Sequence, residues 1–394
     1  MNFGFEFELR GERIKREHRT RSCLQRIEKP MNKIDDIDNP RIPEFEEYIR
    51  QGEPSVRQRA ENWRTAIGLQ AVDGLTVSDF LKQTAQQHIE GKIDIDEAGK
   101  RIQSYYQTKT LREADDDDKE EADKVSRNIA KLLGEQSFTF SVAGFASVHR
   151  QIFQGVFKHA GQFRDYDITK KEWVLDGDTV LYFRWQDLQA TLAYDIDQEK
   201  QFDYSDLALP DAILHIANFV SGIWQIHPFR EGNTRTTAIF TIKYLRSIGF
   251  RQVNNELFEQ HSWYFRNALV RANYRNLQKA VNPDSSFLVA FFRNLLLGEQ
   301  IPLHNRDMHI AVERNQSAIQ SATDGDSKCK NCTLEETVVL QIIQREPRIT
   351  QKQIAEQIGK SERTVKSITV RLQQRGLLRR ENGKRDGHWE IIEK

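Results

Sequence analysis

His227-Pro228-Phe229-Arg230-Glu231-Gly232-Asn233-Thr234-Arg235 is the stretch on which the reading of this chain turns. Before it, Ile213, Ile216, Ala217, Val220, Ile223 and Trp224 recur at helical spacing within Asp211 to Trp224 and predict a buried helix; after it, Thr236 to Arg246 predicts a second. A glycine between two helices lets backbone approach a ligand closely, and the amides that open the second helix point at an anion with the helix dipole behind them. The stretch therefore reads as a polyphosphate site. Glu231 can hold Mg2+, which takes one or two carboxylates together with phosphate oxygens. Arg235, inside the first turn, can neutralise charge on leaving pyrophosphate. His227 stands where a base titrating near neutrality can take a proton from an attacking hydroxyl.

The order His, Phe, acid, Gly, Asn, Arg resembles the signature of the Fic family, and the likeness extends upstream through His149-Arg150-Gln151-Ile152-Phe153 and Ala160-Gly161-Gln162-Phe163-Arg164. The resemblance implies transfer of AMP from ATP to a Tyr, Thr or Ser hydroxyl of a protein target, the chain itself included. It implies His227 as general base, Phe229 as core anchor and Glu231 as the Mg2+ ligand. Gly232, Asn233 and Thr234 would form the phosphate cradle, and Arg235 would contact the β-phosphate. Two positions depart from the family pattern. Thr234 stands where Gly accompanies AMP transfer and Lys accompanies kinase-like use of ATP. Ala238 stands where a second arginine holds the γ-phosphate. Phosphotransfer, a UTP or CDP-choline donor, and a nucleotide-sensing DNA-binding regulator with little turnover therefore stay open as alternatives.

Between these segments, Tyr166 to Phe183 places two short apolar runs around Asp176-Gly177-Asp178 and predicts a β-hairpin in an otherwise helical domain. It falls where the family keeps the flap that clamps a target by strand addition, with Lys170, Glu172 and Trp173 expected to face the target. Further upstream, Ala60, Trp63, Ile67 and Ala71 predict a helix that Gly74 stops, followed by helices over Val77 to Glu90 and Ile95 to Tyr106. Asp115 to Asp118 reads as a solvated loop. The first of these helices resembles the antitoxin unit of Fic systems, whose hallmark is Ser or Thr, three residues, Glu, then Gly or Asn. Here Asp73-Gly74 offers a shorter acid without the hydroxyl, and Glu61-Asn62 a shifted alternative. With Ala238 removing the expected partner, the helix is expected to dock with a weak or absent electrostatic lock, Asp73 being the regulatory candidate.

The C-terminal part changes character. Leu334 to Gln344, Thr350 to Ile358 and Ser361 to Arg375 predict three helices, with Gly359 closing the second and Ser361 capping the third; Leu377 to Ile392 then reads as a two-stranded wing around Asn382-Gly383. This resembles a winged helix-turn-helix, with Arg363, Lys366 and Arg371 placed to meet DNA and Arg379, Arg380, Lys384 and Arg385 on the wing. The 394 residues carry 58 basic and 58 acidic side chains, so only such a local patch argues for nucleic acid. No apolar stretch approaches a membrane span, and the start lacks a signal-peptide pattern. With three cysteines and no disulfide framework, the cytoplasm is expected. Cys329 and Cys332 read as thiols in a polar linker rather than as zinc ligands.

The expected fold is mainly α: a helical core of the Fic type with a β-hairpin flap, plus a C-terminal winged helix-turn-helix. Residues 1–30 are expected as a disordered tail with translation starting at Met31, 31–110 as the antitoxin-like helical region, 138–300 as the Fic domain, 306–332 as a linker and 333–394 as the winged module. Mg2+ and ATP are the expected cofactor and substrate. A hydroxyl-bearing protein and DNA are the expected partners, without a membrane, and homodimerisation is left open.

Overall fold

The computed structural model describes residues 43–205, 207–250, 256–311, 334–358, 360–381 and 387–392. The N-terminal tail, Met31, the Cys329/Cys332 pair, Gly359, the Asn382-Gly383 turn, Lys384 and Arg385 lie outside them.

Near its N-terminus the chain forms α1 (Pro43–Gln51) and α2 (Pro54–Gly68), and a 3-10 turn (Leu69–Asp73) closed by left-handed Gly74. Then come α3 (Asp79–Ile89), capped by the Ser78 hydroxyl, α4 (Ile95–Thr108), capped by Asp94, and α5 (Asp116–Gly134). The aspartate run expected as a loop instead opens α5. Carboxylates there face the positive end of the helix dipole, and Asp116 is buried, paired with Lys109 at 2.6 Å while accepting the Glu113 amide. At the other end of α5, Lys243 donates to the carbonyls of Leu132 and Glu135, and Arg246 to that of Leu133, each at 2.9 Å. Cations thus close the negative end.

The site-bearing part comprises α6 (Val142–Phe153), α7 (Leu188–Gln201), α8 (Leu209–Ile226), α9 (Asn233–Ser247), α10 (Glu256–Gln260), α11 (Ser262–Asn273) and α12 (Ser286–Leu297). Every residue of α9 from Asn233 to Leu245 is buried. A helix buried all round can only be the centre of a larger assembly, and the others surround it. Ala60, Trp63, Ala66, Leu69 and Val72 belong to the same apolar core as Phe229, Ile239 and Phe240. The N-terminal helices therefore share one interior with the segment that carries the motif.

Tyr166 to Phe183 differs from expectation. It folds back at Asp176 and Gly177, both left-handed, but no ladder pairs its arms among the described residues. The reason is the tightness of the reversal. Trp173–Leu175 winds into a 3-10 turn, the Glu172 amide donates to Asp178 O and the Gly177 amide to Glu172 O, and the Lys170 amide reaches across to the Thr179 hydroxyl. Donors that a ladder would use are consumed within the turn or by side chains.

A second core joins Val339, Ile343, Ile354, Val365, Ile368, Leu372, Leu378 and Trp389. It lies among α13 (Leu334–Arg345), α14 (Gln351–Ile358), α15 (Glu362–Gln374) and the antiparallel pair β1 (Leu378–Glu381) and β2 (His388–Ile391), with Arg380 opposite Trp389. Ser361 caps α15, accepting the Thr364 amide at 3.1 Å. The described residues form a mainly helical protein whose strands are those of the wing, and none of their helices is long and apolar enough to cross a membrane.

Trp63 is fully buried and donates its indole N–H to His88 Nδ1 at 2.9 Å. Truncating it in a shared interior opens a large cavity, so Trp63→Ala should cost about 3–5 kcal/mol in urea unfolding. A loss below about 1 kcal/mol would show that the N-terminal helices rest on the core without being part of it.

Candidate active site

His227 ends α8 in the left-handed region, at φ 52°, an uncommon conformation for a residue with a side chain. The turn places its ring between Tyr182, 4.3 Å away by centroids, and Trp224 at 5.2 Å. Nδ1 lies 3.2 Å from the Trp224 carbonyl, which can only accept, so Nδ1 carries the proton and Nε2 keeps its lone pair. Nε2 is buried and has no hydrogen-bond partner among the described residues. Burial, then the charges of Lys170, Arg266 and Arg164, push the imidazole well below its ordinary pKa. The ring is held neutral with its basic nitrogen uncommitted.

The loop after His227 is braced from within. Asn233 accepts the Phe229 amide at 2.9 Å and donates to the Phe229 carbonyl at 2.7 Å, and the Thr234 hydroxyl accepts the Trp224 indole N–H at 3.0 Å. Both side chains, expected in the phosphate cradle, are spent on shaping it. What the cradle retains are the amides of Asn233, Thr234 and Arg235, which precede the first possible intrahelical acceptor. Gly232 is left-handed at φ 71°, and a Cβ there would stand 2.1 Å from the Phe153 ring. Glu231 is half-buried beside these amides. One accessible carboxylate next to an anion-binding helix start suits Mg2+, which keeps most of its ligands from water and phosphate.

His149 braces the loop from outside. Its Nδ1 accepts the Gly161 amide at 2.8 Å, which puts the proton on Nε2, 3.1 Å from the Glu231 carbonyl. The ring stacks on Phe229 at 3.8 Å, and burial pushes its pKa down to about 3. The buried Arg164 does the same for His227. Its Nε donates to the His227 carbonyl at 2.9 Å, and its terminal nitrogens donate to the carbonyls of Tyr166 and Phe183, the two feet of the folded-back segment. Neither residue was singled out for a role in the sequence reading.

Arg235 is placed one turn into α9 as expected, but it does not face an open cradle. Its Nε lies 2.8 Å from Asp73 Oδ2, one terminal nitrogen donates to Gln70 Oε1 at 2.9 Å and the other to Glu121 Oε1 at 3.0 Å. The Phe153 ring covers its face at 4.8 Å. Burial opposes the charge, yet the Asp73 and Glu121 carboxylates outweigh it and raise the pKa above the ordinary value. The N-terminal segment therefore docks, and its acid makes a close pair where a weak or absent lock was expected. Losing the arginine at 238 did not remove the partner: the 3-10 turn packs on α9, and the short Asp73 side chain meets Arg235 instead. The alternative, Glu61, lies within electrostatic reach of Arg246.

Of the residues expected to face a target, Glu172 is buried and pairs with Arg266 at 2.8 Å, and Trp173 packs edge-on against His309. Lys170 is half-buried. The exposed apolar side chains are instead Leu181, 84% exposed, and Phe183, 37% exposed, which alternate with buried Val180 and Tyr182. That alternation was visible in the sequence and marks an extended arm with one outward face. In the C-terminal module, Arg363, Lys366 and Arg371 lie exposed on α15, Arg371 with Glu336 at 3.7 Å. On the wing, Arg379 pairs with Glu381 and Glu390, and Arg380 covers Trp389.

Residues 139–245 match the family model described as Fic/DOC family. This segment is a Fic/DOC domain. Residues 338–379 match the model of a winged helix-turn-helix DNA-binding module. No curated protein matches the chain in sequence. Among solved structures it is similar to a Fic family protein from Desulfovibrio desulfuricans G20, at 13% identity and a TM-score of 0.40, covering 89% of this chain and 94% of that one. The Fic/DOC domain marks the protein as a Fic-type transferase in general.

A neutral buried His149 has a signature in stability. Folded, it binds its proton only near pH 3; unfolded, it does so near pH 6.5. The unfolded state thus holds more protons between those values, and stability falls on acidification by about 1.4 kcal/mol per pH unit from this residue. His149→Gln should flatten the dependence of Tm on pH between 6.5 and 4, and an unchanged slope would contradict a neutral His149.

Proposed function

We propose that the chain transfers AMP from ATP to the hydroxyl of a Tyr, Thr or Ser side chain of a protein target. The observation that carries the reading is the His227 ring: neutral, fixed in one tautomer, with Nε2 lacking any protein partner beside the first turn of α9. In the step proposed, the target oxygen attacks the α-phosphorus, its proton passes to His227 Nε2, and the bond from that phosphorus to the β-phosphate oxygen breaks as pyrophosphate leaves. The α9 amides bind phosphate oxygens, and the Arg164 guanidinium keeps the base aligned with the flap feet. Glu231 is the residue that would hold Mg2+, whose charge would offset that of the phosphates. The extended arm bearing Leu181 and Phe183 would receive the target segment by main-chain pairing. Asp73 would act as a brake, since Arg235 is committed to it.

The test uses the full chain with Mg2+ and ATP labelled at the α or the γ position, in cell lysate, against His227→Ala. Protein-bound α label that is lost in the variant is the expected result. Label from γ alone would replace AMP transfer by phosphotransfer, and no label from either would favour a sensing role or another donor.

A second activity rests on the winged module, whose α15 exposes Arg363 and Lys366. We propose that it binds DNA. Affinity for duplex DNA should fall with salt, and Lys366→Ala should weaken binding and reduce the salt slope by about 1 if Lys366 meets a phosphate. An unaltered slope and affinity in Arg363→Ala and Lys366→Ala alike would make the module a protein-docking unit instead.

A further inference from the structure

Position 238 carries no charge, yet Arg235 is not the sole guanidinium near Asp73. α11 packs across the turn that carries this acid. The Ser262 hydroxyl donates to the Gly68 carbonyl at 3.0 Å, and Arg266 follows four residues later, on the same helix face. One terminal nitrogen of Arg266 is held by both Glu172 oxygens, at 2.8 and 3.0 Å, and the guanidinium lies 5.1 Å from the Trp263 ring. Its Nε and remaining terminal nitrogen have no protein partner among the described residues. The Asp73 carboxylate helps raise the Arg266 pKa, after the stronger effects of burial, which opposes, and Glu172. The Arg266 charge in turn reaches the His227 ring. One partly exposed carboxylate thus stands by two buried guanidinia, within electrostatic range of the uncommitted histidine nitrogen.

We propose that Asp73 occupies a seat for the polyphosphate of a nucleotide, formed by Arg235 and Arg266, and that Arg266 supplies the second cation which position 238 lacks. The proposal rests on the nucleotide-binding reading above and assigns a residue that lies outside the matched Fic/DOC segment. Two guanidinia with donors on facing edges suit phosphate oxygens, and withdrawal of Asp73 would free one edge of Arg235 while Glu121 and Gln70 keep it in place.

The seat is tested without turnover, by titrating inorganic tripolyphosphate calorimetrically into the full chain. Asp73→Ala should bind it about tenfold more tightly than the parent, the scale of one charge-assisted contact. Adding Arg266→Gln, which keeps a donor for Glu172, should return about that factor, and Arg266→Lys should fall between. Equal tripolyphosphate affinity of Asp73→Ala with and without Arg266→Gln, at matching Tm, overturns the proposal. Should Arg266→Gln lower Tm, Arg266→Lys decides: affinity equal to that of Asp73→Ala overturns the seat, and weaker affinity supports it. Arg266-dependent binding with no transferred α label would retain the seat and discard AMP transfer. Transfer with Arg266-independent binding would discard the seat alone.

Discussion

Two buried helices joined by a few residues impose a strict condition: the polar groups of the junction must be satisfied inside the protein. α8 ends at His227 and α9 begins at Asn233, and between them the chain makes two left-handed turns. Arg164 takes the His227 carbonyl and its amide takes that of Pro228; Asn233 spans Phe229; His149 takes Glu231. Once these are counted, the groups left over are the basic nitrogen of His227 and the amides opening α9. The chemistry of the site is what the packing of the junction does not consume.

The same reasoning governs the charges. A buried ion pair costs desolvation to form, and removing one member leaves a charge whose penalty is several kcal/mol. Arg235 is almost wholly buried and has Asp73 and Glu121 beside it. Its pairing with Asp73 is therefore better exchanged for another anion than left empty. A phosphate arriving as the carboxylate departs meets that condition, which makes competition between an internal acid and a ligand the physically economical form of control.

Much of this was legible in the sequence. The helix before His227, the helix after it, the three helices and wing of the C-terminal module, and the identity of the motif all follow from local periodicity and spacing. What could not be read is what depends on distant contacts. Asn233 and Thr234 look like ligand residues until Phe229 and Trp224 are seen to use them. Asp73 looked unpartnered because its expected arginine was missing, whereas the turn brings it to another. α5 was hidden by its acidic start, although Val125, Ile129, Leu132 and Leu133 keep helical spacing. The flap was misjudged for a simpler reason: apolar alternation in Val180 to Phe183 predicts an extended arm, but whether that arm finds a partner strand is decided elsewhere.

Leu69 and Val72 flank the acid of the 3-10 turn and are sealed in the common interior, while Asp73 itself keeps about a third of its side chain in solvent. Inhibition and folding are thus written into adjacent positions of one short turn. Mutational drift at the apolar pair would unfold the protein before it released the arginine. The carboxylate alone is cheap to alter, so a lineage could silence or restore its restraint by a change at a single codon and leave the architecture untouched.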